Sequence, residues 1–115
     1  MANTFKVITK AGVTSLDVIY TVASSTTTVV LGLVLGNTTG SQVPSPVTLN
    51  TDTAARSGAN DEANQAVELV TNAPIPAGSS LELLAGNKVV LETTDEIKVS
   101  ATGAVDVALS VMEIT

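Results

Sequence analysis

At 115 residues, with 44% hydrophobic, 14% charged and 2% aromatic side chains, the chain is long enough to bury one core and too short for two. It holds no Cys, His or Trp, which removes disulfides, thiolate nucleophiles, ordinary zinc or haem ligation and imidazole general bases. Five Lys plus Arg against eleven Asp plus Glu give a net charge of −6, which sets long-range electrostatics against nucleic acid and against anionic membrane surfaces.

Strand signal dominates the chain. Its 17 Val, 17 Thr and 5 Ile make 39 of 115 residues β-branched, a composition that suits pleated surfaces and disfavours helix. In a first strand Phe5, Val7 and Thr9 alternate with Lys6, Ile8 and Lys10. The N-terminal residues 1–12 (MANTFKVITKAG) carry Lys6 and Lys10 with no apolar stretch behind them, so no secretory signal is expected. A second strand, residues 16–22, places Leu16, Val18, Tyr20 and Val22 on one face, and both aromatics, Phe5 and Tyr20, are expected to be buried.

Residues 27–35 (TTVVLGLVL) are apolar on both faces. This predicts a central strand covered on each side or set against another subunit, with Gly32 marking a close backbone approach. The run is far shorter than the roughly 20 residues that span a bilayer. Asn37-Thr38-Thr39 fits a glycosylation acceptor, but within the Gly- and Ser-rich cluster at 36–41 it reads as a turn. Residues 42–49 resume extended chain as an edge strand or extended loop, because Pro44 and Pro46 cannot donate ladder hydrogen bonds.

Residues 50–64 (NTDTAARSGANDEAN) carry no apolar side chain larger than Ala and predict a long exposed loop, with a short helical turn near 61–65. Strands follow at 66–70, 80–84, 88–92, 96–101 and 105–114, punctuated by turns at 74–78, 85–87, 93–95 and 102–104. The last is the clearest, with Val105, Val107, Leu109, Val111 and Glu113 opposite Asp106, Ala108, Ser110, Met112 and Ile114. About eight short strands at roughly ten-residue spacing predict an all-β fold, an antiparallel β-sandwich of immunoglobulin-like or jelly-roll type, in a single domain over residues 1–115.

Candidate chemistry fails on its own terms. Asn50, Asp52, Asn60, Asp61 and Glu62 could offer oxygen ligands to calcium, yet an EF-hand begun at Asp52 puts Ala54 and Arg56 at ligand positions and Ala63 where the bidentate Glu belongs. The pairs Asp61-Glu62 and Asp95-Glu96 read as solvated acids. Neither G-x-S-x-G nor S-x-x-K occurs, and the Gly32 and Gly36 pair lacks a following Lys and so is no phosphate loop. Two aromatics are too few for sugar platforms or base stacking. The expectation is a non-enzymatic chain with no catalytic residues, no cofactor-binding residues, no metal and no cofactor. Met112 and Ile114, on the second face of the last strand, together with the two-sided run at 29–35, leave more apolar surface than one core needs, which is met either by burial against a second copy or by both faces of a central strand lying inside the sandwich.

The run PIPAGSSLELLAGNKVVLETTDEIKVSA at 74–101 and GAVDVALSVMEI at 103–114, with IYTV at 19–22 and SSTTTVVLG at 24–32, resembles small virion structural proteins of tailed bacteriophages, especially those of marine and cyanobacterial hosts. The resemblance covers most of the chain outside residues 44–72 and rests on strands and turns rather than on catalytic residues. It implies a β-sandwich virion component located in the virion and assembled in the host cytoplasm. The first expectation is a capsid decoration, or cement, protein that binds the major capsid protein as a homo-oligomer, with a trimer among the candidate orders, using the 50–64 loop and the N-terminal strand. The alternative is a tail, neck or fibre-associated module with host-surface binding. Neither expectation involves nucleic acid or membrane as a partner.

Overall fold

A computed structural model of the chain describes residues 3–51, 65–71, 74–83 and 88–115. Among these, all regular structure is β: β1 (Asn3–Val13), β2 (Asp17–Thr21), β3 (Thr27–Asn37), β4 (Val43–Pro44), β5 (Val47–Thr51), β6 (Gln65–Val70), β7 (Pro74–Ile75), β8 (Ser80–Leu83), β9 (Val89–Leu91), β10 (Glu96–Val99) and β11 (Val105–Ile114). The predicted loop core, the turn at 85–87 and four of the five candidate calcium ligands (Asp52, Asn60, Asp61 and Glu62) lie outside the described residues, as does the helical turn predicted near 61–65 except for Gln65, which instead opens β6. Asn50, the fifth, is half-buried in β5 opposite Glu96 and Ala66.

Two antiparallel sheets carry the fold. One runs β1-β11-β3, with β8 and β9 both lying along the far side of β3; the other runs β2-β10-β5-β6; a two-residue ribbon, β4-β7, stands apart. Set the ribbon aside, count β8 and β9 as one interrupted sixth strand, and eight positions remain. Their order is 1-8-3-6 in the first sheet and 2-7-4-5 in the second. Successive strands thus cross from sheet to sheet except at the β5–β6 pair, which is the jelly-roll winding of two Greek keys and sets aside the immunoglobulin-like alternative.

The inner faces meet in one apolar cluster. Val30, Leu33, Leu35, Leu91, Val107, Leu109 and Val111 come from the first sheet and Ile19, Val47, Ile97 and Val99 from the second, joined by Val43 and Ile75 of the ribbon and by Ala101. The alternation predicted for residues 105–114 holds: Val105, Val107, Leu109 and Val111 are buried while Asp106 and Ser110 are exposed.

Elsewhere bulges change which residues face inward. In β3, Ser110 pairs with Gly32 but Val111 pairs with Val30, so Leu31 is an extra residue. Thr28 and Val30 face inward before it, and Leu33, Leu35 and Asn37 after it. The run that looks apolar on both faces is therefore largely one buried face whose phase shifts at the bulge. Gly32 marks that bulge and not a close approach, since a Cβ there would meet nothing within 4 Å.

The same device corrects the second strand. Ile97 pairs with Tyr20 and Lys98 with Val18, leaving Ile19 as the extra residue. Ile19 is buried, while Val18 is 44% and Leu16 63% exposed, so Leu16, Val18, Tyr20 and Val22 do not share a buried face. Residues 42–49 also divide. Pro44 sits opposite Pro74 in the ribbon, which needs no long ladder, whereas β5 is an interior strand between β10 and β6.

Candidate assembly surface

Three places concentrate polar or unpartnered groups: a cluster joining the two sheets, a buried asparagine at one end of β3, and the outer face of the first sheet.

Tyr20 is the half-buried aromatic of β2, and its hydroxyl crosses to the other sheet. It donates to Glu113 Oε2 at 2.5 Å and lies 2.8 Å from Thr28 Oγ1, while Lys6 Nζ holds Glu113 Oε1 at 2.8 Å. Because the Tyr20 proton goes to the carboxylate, Thr28 is the donor in the other bond. Burial, then the hydrogen bond to Glu113, pushes the Tyr20 phenol up to about 12. The hydrogen bonds from Lys6 and then Tyr20 hold the Glu113 carboxyl below its ordinary value. Both carboxylate oxygens are thereby engaged, so Glu113 is kept as an anion and is not poised to deliver a proton. The arrangement is a clasp between sheets.

Asn37 is 4% exposed and fully employed. Its Nδ2 donates to the carbonyls of Ser41 and Ile75, each at 2.8 Å, and its Oδ1 accepts from Thr39 N at 2.9 Å and Thr39 Oγ1 at 2.7 Å. The acceptor-like sequence at 37–39 is a turn, as its composition suggests, with the amide nitrogen turned into the protein. Asp95 departs from expectation: it is wholly buried, and its Oδ2 accepts from Glu92 N at 3.0 Å, so it organises the β9–β10 turn instead of being solvated. Asp61 and Glu62 lie outside the described residues.

The outer face of the first sheet is apolar across its width. Directly paired residues share a face, so the register Phe5-Met112-Val29-Val90 is a row of four apolar side chains over β1, β11, β3 and β9. Phe5 is 71% and Val90 60% exposed. The expectation of a buried Phe5 is overturned: the β1 residues paired with inward-facing Val111, Leu109 and Val107 are Lys6, Ile8 and Lys10, which turns Phe5 and Val7 outward. A second row, Thr9-Ala108-Val34-Glu82, crosses four residues further along. There the small side chains leave a hollow of about 390 Å³ bordered by residues that include Thr9, Lys10, Val34, Gly36, Asp106 and Ala108. Neither row contains a Lys or Arg, although Lys10 reaches the border of the hollow.

Among the described residues no strand pairs with the far edge of β1, and no group of three or more His, Cys, Asp or Glu could hold a metal ion. No helix there is long and apolar enough to cross a membrane. What sequence reasoning missed was Phe5. The signal that could have found it is the inward alternation of Ile8 with two lysines on a strand too short of apolar residues to be buried on both faces.

No family model matches the chain, and no curated protein matches it. Among solved structures it is similar to a chain from the disulfide-linked pili of Bacillus endospore appendages, at 16% identity and a TM-score of 0.48, covering 99% of this chain and 87% of that one. It is also similar to a chain of the T13 particle of infectious bursal disease virus, at 11% identity and a TM-score of 0.39, covering 96% of this chain and 35% of that one.

Proposed function

We propose that this chain is a non-enzymatic structural subunit of a bacteriophage virion, a capsid decoration protein that binds the outside of the major capsid shell. The observation that carries the reading is the broad outer face of the first sheet, crossed by an apolar row and beside an edge strand with no strand partner among the described residues, on a jelly-roll whose Tyr20 and Asn37 clusters are internally satisfied. Such a surface offers contact area and backbone hydrogen bonds to other protein subunits and offers no reacting group to a small substrate. The jelly-roll winding is compatible with this role, since shell proteins are among the uses of that architecture, though fold alone does not assign function. On this reading β1 meets the shell through its free backbone edge, and the virion is where the chain resides.

Copy number in purified virions tests it. Hundreds of copies of this chain, comparable with the major capsid protein, are expected. A dozen or fewer would replace the capsid with the tail, neck or fibre as its place, and absence from the particle would overturn the virion reading altogether.

A further inference from the structure

We propose that the outer face of the first sheet is a self-complementary interface on which a second copy of this chain packs, related by a two-fold axis that crosses the strands near Ser110. The inference rests on the reading of this chain as an assembling subunit and names the partner of that face.

Three observations converge on a second copy. The first is shape. The apolar row through Met112 and the hollow row through Ala108 each lie two residues from Ser110, which pairs with Gly32 and Val7 in the middle of the face. Rotation about an axis along the Ser110 row lays each ridge over the other copy's hollow, so that Phe5, Met112 and Val29 come over Thr9, Ala108 and Val34. Small residues at the centre let the two sheets approach closely. An interface of this kind is isologous, each contact occurring twice.

The second observation is area. Three strands of about ten residues and the seven residues of β8 and β9, at about 4.8 Å spacing and about 3.4 Å rise, make a face of roughly 600 Å². Two such faces bury about 1,200 Å², at the lower bound of the roughly 1,200–2,000 Å² typical of stable specific interfaces.

Charge is the third. At the paired positions Asp106 and Glu82 are the acids that face outward, and both lie at the hollow end of the face. The rotation sets Asp106 over the uncharged row Asn3-Ile114-Thr27 of the other copy and Glu82 over Val90, so neither acid meets an acid. A chain with net charge −6 otherwise repels its own copies, and this is a face on which it does not.

The absence of native Cys makes the geometry directly readable. Facing sheets lie about 10 Å apart, so a bis-maleimide of about that span should link Phe5→Cys of one copy to Thr9→Cys of the other. In either single variant the two like cysteines are separated by four residues along the strands, about 14 Å, in addition to the gap between sheets. The double variant of the full chain is expected to give covalent dimer at least tenfold above either single variant, and light scattering of the unmodified protein to give a dimer. Met112→Asp should shift the unmodified chain to monomer while leaving its far-UV circular dichroism unchanged. A monodisperse monomer at high concentration overturns the proposal. So does equal crosslinking of single and double variants, or a dimer that survives Met112→Asp. A chain that crosslinks as expected yet is missing from virions would overturn the virion reading and leave this one standing. A high-copy virion protein that stays monomeric would do the reverse.

Discussion

At the scale of single residues, polar side chains in this fold act as fasteners. Asn37 satisfies two carbonyls and one backbone N–H in a place closed to water, and removing it leaves those groups unpaired. Asn37→Ala should cost about 2–4 kcal/mol, visible as a lowered urea midpoint, whereas Thr38→Ala next to it, on an exposed side chain, should cost about 1 kcal/mol or less. Gly103 is constrained from the other direction. A Cβ there would sit 3.0 Å from Val43 Cγ2 and 3.2 Å from Thr39 Cγ2. Gly103→Val should therefore destabilise by roughly 1–3 kcal/mol through overpacking, measured by thermal unfolding. Asn37 could be recognised as a turn residue from its neighbours Gly36 and Thr38-Thr39, but its burial could not, because burial depends on the ribbon strand β7 arriving from the other half of the chain.

At the scale of elements, bulges decide which side chains are inside. The alternation of β11 is unbroken, and its inward residues were legible directly from period two. β2 and β3 each contain one extra residue, and past that residue a strict alternation assigns every side chain to the wrong face. Deleting Leu31 tests this. The deletion would bring Leu33 and Leu35 out of phase with Val30, and the expected result is loss of cooperative unfolding or of soluble expression. Leu31→Ala, on a half-buried residue that leaves the phase intact, should cost only about 1–2 kcal/mol. β1 shows the same logic on an edge. Its inward Lys6 and Lys10 are tied to Glu113 at 2.8 Å and Asp17 at 3.5 Å. At Gly12, where φ is +69° and the N–H donates to Asp106 Oδ1 at 2.9 Å, the strand kinks before Val13 enters the core.

At the scale of the whole molecule, the Tyr20, Thr28, Glu113 and Lys6 clasp couples the two sheets and makes stability depend on pH at both extremes. The fold favours the Glu113 anion, so the stability it contributes is present at neutral pH and is lost as pH falls below the ordinary carboxylate range toward its lowered folded value. The fold favours the neutral Tyr20 phenol, so that contribution is present below the ordinary value of 10.0 and is lost as pH rises through about 12. Urea midpoints should accordingly be highest near neutrality and fall on both sides. Tyr20→Phe should flatten the alkaline fall, and Lys6→Met should reduce the acid fall, since Lys6 is the main cause of the Glu113 shift. Unchanged limbs in both variants would assign the pH dependence to other groups.

By itself the sequence determined the all-β class, the placing of most strands and turns, the inner face of the last strand and the exclusion of Cys and His chemistry. These follow from local properties: β-branched content, period-two alternation, turn residues and the residue types present. Only the tertiary structure decided the jelly-roll order, the bulge phases of β2 and β3, the burial of Asn37 and Asp95, and the outward turn of Phe5. Each of these depends on which strand lies alongside which, and strand partners here are separated by up to a whole chain length, as β1 is from β11. The apolar row on the outer face is the clearest case, because Phe5, Met112, Val29 and Val90 become neighbours only when four strands from both ends and the middle of the chain are laid in register.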